Sequence, residues 1–360
     1  MKIFIAPYSL KLKRDFCNSQ VNERMGVLLK VENKEGVQGF SGLMPWSELG
    51  EANLSDLLQE LSYLGTDFSD LIALKSPILK RAVKLAIADF HHHSKLANCH
   101  KLSDVDLDLP PLKSHYQLQS LPDGSFSMAG LMDCYAKGFR VFKIKCSRTI
   151  PDIFSLMESQ LKELSGLRLR LDFNCRLSCH EFEGFLAEFP KNLLPHVDFF
   201  EDPTLFVDSQ WHTWNESFGF RLAMDRAAKF EVKIAEDRRV DKGFAAFTTV
   251  VVKPTVEDEK VFRQSAALNM RRLVYTHNMD HPFSRMQAVD QSLKAYTQDP
   301  LLMDEAGICG DEVYEKNVYF ELWQDYLQSL ETAQNLKSID SLRDLMRLHL
   351  IDEKWERLSF

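Results

Sequence analysis

The chain alternates between two rhythms. From Lys2 to Lys13 (KIFIAPYSLKLK) and from Met25 to Asn33 (MGVLLKVEN) the apolar residues fall in strand-like runs, and a turn is expected between Lys34 and Gly39. LSDLLQELSYL and ILKRAVKLAIADF then repeat their apolar positions every three or four residues, which predicts helices. Residues 1–108 therefore read as an α+β region. Pro110 and Pro111, after the acidic stretch DVDLDL, mark its boundary, because adjacent prolines suit neither a helix interior nor a central strand.

Over residues 109–315 the texture changes to short β-rich runs separated by helical segments: HYQLQS, FRVFKIKC, LRLRLDFN, VDFFEDP, RLAMD, TTVVVKP, RRLVYTHN and LLMD. Strands that alternate with helices predict parallel βαβ units, and eight of them suggest a closed (β/α) barrel. Residues 316–360 are again helical and charged, NVYFELWQDYLQSLETAQ being the clearest stretch, and are expected to pack back on the first region.

Successive strand residues point to opposite faces. In LRLRLDFN the alternation is complete: Leu167, Leu169, Leu171 and Phe173 share one face, and Arg168, Arg170, Asp172 and Asn174 the other. The apolar face must meet helices, so the charged face looks into the barrel. The same reasoning turns Lys143 and Lys145 of FRVFKIKC inward. Glu201 closes VDFFE, Asp225 closes RLAMD and Lys253 closes TTVVVK. From Lys145 to Asp172 is 27 residues, then 29 to Glu201, 24 to Asp225 and 28 to Lys253, each step close to one βα repeat. Five successive strands thus present Lys, Asp, Glu, Asp and Lys at the mouth where such barrels carry catalysis.

Composition removes several classes of function. With a net charge of -8 and no arginine-rich run, nucleic acid is excluded as a partner. The start lacks a sustained apolar segment, and no stretch approaches a membrane span, so a cytoplasmic protein without membrane contact is expected. Seven cysteines suit a reducing compartment. Cys175, Cys179 and His180 have no second pair at zinc spacing and read as ordinary helix-face residues. The run His91-His92-His93 reads as a helix end, where imidazoles suit the negative dipole. No Walker loop, GxGxxG or GxSxG supports nucleotide chemistry or serine hydrolysis.

Taken singly, charges at strand ends are usually solvated loop residues or structural ion pairs. Three convergent carboxylates, however, repel one another unless a cation neutralises them, and hard oxygen ligands favour Mg²⁺, with Mn²⁺ as a substitute. A lysine beside a divalent cation and a second ammonium group loses its proton more easily, as a general base must. Metal, base and opposed lysine together suggest proton abstraction next to a carboxylate.

The ordered set Lys143-Ile-Lys145, Asp172-Phe-Asn174, Glu201-Asp202-Pro203, Asp225-Arg226 and Lys253-Pro254 resembles the enolase superfamily over nearly the whole chain. The resemblance implies a modified (β/α)7β barrel with an α+β capping domain, and metal ligands Asp172, Glu201 and Asp225 flanked by catalytic Lys145 and Lys253. The two-lysine pattern is similar to the muconate-lactonizing subgroup. RLRLDFN, the compact size and the short first region look most like the o-succinylbenzoate synthases, carbon–oxygen lyases of menaquinone biosynthesis. That likeness implies syn dehydration of a small carboxylate substrate through an enediolate. Lys145 would remove and return the proton, Lys253 would stay cationic, and Lys143 would repel charge on Lys145. Cycloisomerases, dipeptide epimerases and N-succinylamino acid racemases share these residues. A metal-binding barrel without catalysis and a Schiff-base aldolase are alternatives of other kinds.

Three positions depart from the family. Arg226 stands where glutamate is usual. The stretch YTHNMDHPFSR replaces a serine-rich one with a glutamate, with Asp280 expected in place of that glutamate and His277 or Asn278 near the substrate; Arg170 and Asn174 are expected to touch substrate or support the ligands. The first region reads GVQGFSGLMPW instead of a Gly-x-Gly-Glu turn, leaving Arg24 or Met44 as candidates to close over the ligand. Whether the protein is a monomer or a homo-oligomer is not encoded in these patterns.

Overall fold

The computed structural model describes residues 2–13, 22–64, 73–98, 112–120, 125–149, 152–225, 247–269, 271–310, 312–331 and 339–358. Strands β1 (Lys2–Lys11), β2 (Glu23–Glu32) and β3 (Gln38–Leu43) form an antiparallel sheet, followed by helices α1 (Leu54–Ser62) and α2 (Pro77–Asn98). Alternation decides how the sheet is used. Ile3, Ile5, Val27, Leu29 and Val31 point to one face and bury against Leu57 and Leu61 of α1 and Leu79, Ala82 and Val83 of α2. Ala6, Leu28 and Phe40 point the other way and join the large core around the barrel. Phe40 meets the Phe283 and Trp355 rings there.

The second sheet runs β4 (Ser114–Leu118), β5 (Val141–Lys145), β6 (Arg168–Asp172), β7 (Val197–Glu201), β8 (Leu222–Asp225), β9 (Thr249–Val252), β10 (Arg272–Tyr275) and β11 (Ala306–Gly310). Neighbours pair in parallel from β4 to β10, and β11 pairs with β4. Single bridges from Leu273 to Met303 and from Thr276 to Gly307 draw the ring nearly shut. Helices α3 (Met128–Ala136), α4 (Ile153–Ser159), α5 (Cys179–Glu188), α6 (Asp208–Phe218), α7 (Glu259–Asn269) and α8 (Pro282–Gln298) lie between strands in the chain. The outward residues of β6, Leu169 and Leu171, are buried in one core with Phe154, Phe182, Phe185 and Trp214. The α5 start shows how local sequence fixes an element: Ser178 caps Glu181 N–H while the Glu181 carboxylate returns to the Ser178 N–H, a complete capping box. Helices α9 (Val318–Glu331) and α10 (Asp340–Ile351) follow, and β12 (Glu356–Arg357) returns to pair with the outer edge of β1.

The expected eighth strand is misplaced. Pro300–Leu302 form a 3-10 turn with Leu301 exposed, and the strand begins at Ala306. The reason is steric. A Cβ at Gly307 would lie 2.7 Å from the His115 ring, and one at Gly310 2.9 Å from the Gln117 Cβ, so only glycine lets β11 close against β4. A run containing two glycines carries no apolar alternation to read.

The histidine run does not end a helix, for α2 continues through Asn98. His92 instead meets Arg343, and His93 faces Asp89 one turn back. Among the described residues no disulfide forms, and no helix is long and apolar enough to cross a membrane. Pro110, Pro111 and Arg226 lie outside the described residues.

Candidate active site

Strand register assembles the rim. Lys145 is paired with Asp172 and Asp172 with Glu201, so adjacent strands end at one level, while Asp225 closes β8 and Lys253 follows β9. Alternation turns these side chains inward, and they meet. Lys143 Nζ lies 2.9 Å from Asp172 Oδ2 and 2.7 Å from Glu201 Oε1. Lys145 Nζ donates to the same Asp172 Oδ2 at 2.9 Å and to Asn174 Oδ1 at 3.1 Å. Lys253 Nζ donates to both oxygens of Asp225. Asp172 and Glu201 are almost wholly buried, whereas the Lys145 side chain keeps 27% of its surface, which leaves it reachable from the mouth.

The backbone is bent into unusual shapes at this rim. Among the described residues, the non-glycine residues with positive φ are Asn174, Cys175, Asp202 and Met279, all just past the ends of β6, β7 or β10. Asn and Asp tolerate this region better than other residues, and such conformations concentrate where side chains must be aimed. Asn174 uses it to donate its N–H to Asp172 Oδ1 at 3.0 Å while its side chain holds Lys145.

Electrostatics show surplus negative charge. Burial works against the charged form of Lys143, but Asp172, Glu201 and Asp225 outweigh it and hold the ammonium above its ordinary pKa. Burial would raise the Asp172 pKa, yet Lys143 and Lys145 together hold it well below the usual carboxylate range. Glu201 is pushed up by burial and by Asp172, against the pull of Lys143. Asp202 is likewise pushed up by burial and by Asp225, Glu201 and Asp172. Its Oδ1 accepts the Asp225 N–H at 3.1 Å. This fourth carboxylate was not among the expected site residues, although the Glu-Asp-Pro triplet contained its signal. Lys143 and Lys145 share one carboxylate oxygen, so the repulsion expected between them is offset by the anion between.

Not every expected residue joins the rim. Arg170 is fully buried lower in the barrel, donating to Asp198 Oδ2 at 2.9 Å and to the Glu305 carbonyl at 2.8 Å, with His115 Nδ1 at 2.7 Å. His277 lines a cleft, but its Nδ1 accepts the Met279 N–H at 2.9 Å. The Asn278 carbonyl accepts from Trp46 Nε1 at 3.1 Å, and Asp280 is buried near Arg285, which donates to its carbonyl. Arg24 stacks on Trp46 at 3.5 Å and pairs with Glu48, and Met44 is buried among Leu10, Trp46 and Tyr314. From α2, Arg81 Nε donates to the Pro254 carbonyl at 2.6 Å, directly behind Lys253.

The donor chemistry fits a hard divalent cation. Carboxylate oxygens dominate the rim, with the Asn174 amide oxygen beside them, and the Glu201 and Asp202 pKa values are raised by burial and then by neighbouring negative charge, which such a cation would neutralise. As placed here, no three His, Cys, Asp or Glu groups among the described residues stand at mutual ligand spacing. The ammonium groups hold the carboxylates instead.

Residues 3–92 match the family model for the o-succinylbenzoate synthase N-terminal domain. An o-succinylbenzoate synthase from Bdellovibrio bacteriovorus is 28% identical over 332 residues, covering 89% of each chain. The crystal structure of o-succinylbenzoate synthase from Thermosynechococcus elongatus, complexed with magnesium in the active site, superposes with a TM-score of 0.63 at 16% identity, covering 90% of this chain and all of that one. A member of the enolase superfamily from Roseovarius nubinhibens, complexed with magnesium, gives 0.61 at 14% identity over 88% of both chains. At these identities the structural likeness is one of fold. With its eight-stranded parallel barrel and its antiparallel sheet the chain has the fold of these enzymes, and its residues 3–92 are similar to the o-succinylbenzoate synthase N-terminal domain.

Proposed function

We propose that the protein is an o-succinylbenzoate synthase, dehydrating 2-succinyl-6-hydroxy-2,4-cyclohexadiene-1-carboxylate in menaquinone biosynthesis. The observation that carries this is the placement of two inward amines, Lys145 and Lys253, each against a different strand-end carboxylate of one rim. The 28% identical synthase and the N-terminal match favour this substrate over those of other two-lysine relatives.

In this reading Asp172, Glu201 and Asp225 would hold Mg²⁺. Bound there, the cation would neutralise the substrate carboxylate and so acidify the adjacent C–H. Lys145 takes that proton. The electron pair left on carbon forms an enediolate, and Lys253, kept cationic on the other side, offsets its charge. Lys145 then returns the proton to the departing hydroxyl, which leaves as water while the ring becomes aromatic. One residue serves both steps because proton and hydroxyl leave from the same face. Asn174 keeps the Lys145 amine directed through its 3.1 Å contact.

The test is formation of o-succinylbenzoate by the purified protein with Mg²⁺, run beside N-succinylamino acids. Dehydration that disappears on chelation supports the proposal. Racemisation without dehydration would assign the site to the racemase reaction.

A further inference from the structure

A narrow cleft opens at the ends of β4, β10 and β11. Its walls include Met279, Ile308, Val313 and Trp323. Most of its strong polar groups are already engaged. His277 is held by the Met279 N–H and by the Ile308 backbone. Arg285 donates to both oxygens of Glu312, at 2.6 and 3.2 Å, and to the Asp280 carbonyl at 2.9 Å. Gln117 differs. Its Nε2 is buried with no hydrogen-bond partner, and it is the cleft-lining residue with such an atom among those described.

The surroundings of Gln117 are specific. β4 pairs it with Lys143 on one side and with Gly310 on the other, so it stands beside the amine that bridges Asp172 and Glu201. A Cβ at position 310 would come within 2.9 Å of the Gln117 Cβ, so glycine there makes the room its side chain occupies. An amide N–H that is shielded from water and unpaired is costly unless a ligand takes it. Because Glu312 neutralises Arg285, the described residues lining the cleft offer no uncommitted guanidinium for a carboxylate. A neutral oxygen suits the amide better.

We infer that Gln117 is a specificity-determining residue whose Nε2 donates to a neutral carbonyl oxygen of the bound substrate. This rests on the proposed function, in which that oxygen is the ketone of the succinyl side chain. Enzymes built to hydrogen-bond a substrate group reject analogues that lack it.

The experiment measures, with Mg²⁺ present, binding of o-succinylbenzoate and of 2-(3-carboxypropyl)benzoate, which has CH₂ in place of the ketone. The parent protein should prefer the ketone by about 10-fold, and Gln117→Leu should lose that preference while melting at the parent temperature. Should Gln117→Leu fail to fold, Gln117→Met, also without a donor, is measured in its place. A ketone preference that survives removal of the amide, or one absent from the parent, overturns the role of Gln117 and leaves the synthase reading standing. Failure of o-succinylbenzoate to bind the parent at all overturns both.

Discussion

The barrel holds two charged layers, one at each end, built from different cations. At the mouth, Lys143, Lys145 and Lys253 face Asp172, Glu201 and Asp225. At the floor, Arg170 and Arg221 bracket Asp198 at 2.9 Å each, Arg221 and Arg272 hold Asp304, and Arg168 reaches Glu305. Arginine is always charged and forks across carboxylates, which suits permanent closure. Lysine is a compact charge that can give up its proton, which suits chemistry. Two networks of similar appearance thus differ in the chemistry of their cations: one fastens the strands, and the other, in the proposed reaction, transfers a proton.

Several substitutions would break or sharpen that contrast. The largest effect is expected at Lys145: Lys145→Ala should lower kcat for dehydration by about 10³-fold, with Mg²⁺ binding by calorimetry largely kept. Substantial surviving turnover would remove Lys145 from the reaction. Lys253→Ala should cost about 10²-fold in kcat, less than the base because the amine stabilises charge without moving a proton. At the floor the response should reverse. Arg170→Met should destabilise the fold by about 3 kcal/mol in urea denaturation, because it strips a buried partner from Asp198, yet leave kcat of the folded protein near that of the parent. A large loss of kcat with unchanged stability would show that the two layers are not separable.

The smallest effect concerns pH and also pits a paired carboxylate against a poorly paired one. At Asp304 burial would raise the pKa, but Arg221 and Arg272 outweigh it, so its folded value lies below the unfolded one. Its stabilisation is complete above the unfolded value of about 4 and is lost as pH falls through the folded one. Asp280 is pushed by burial to about 7, against the pull of Arg285, and its Oδ1 has no partner. The folded state therefore holds its proton more tightly, and stability contributed by Asp280 should decline as pH rises from about 4 to about 7. Asp280→Asn should flatten the thermal midpoint across that interval. An unchanged slope would dismiss Asp280 as its source.

What the sequence made legible follows from the strand period. LRLRLDFN announced which residues face inward, and the regular spacing of Lys145, Asp172, Glu201, Asp225 and Lys253 placed them on successive strands. Alternation gives the face of a residue and not its depth, so Arg170 and Asp172, two apart on β6, were read as neighbours of one site although they belong to opposite layers. β11 escaped because its glycines are required by contact with β4, which is distant in sequence. Gln117 escaped for a related reason: inside HYQLQS it is one polar strand residue, and only the folded cleft leaves its amide without a partner.

The return of β12 to β1 bears on how the protein is made. β1 precedes the barrel in the chain, yet its outer edge receives Glu356–Arg357, which follow the barrel, only after the barrel has been translated. Through that interval a nascent chain displays an open strand edge, a template for pairing with neighbouring chains. Polysome crowding is thus a hazard until β12 is made, when that short strand covers part of the exposed β1 edge.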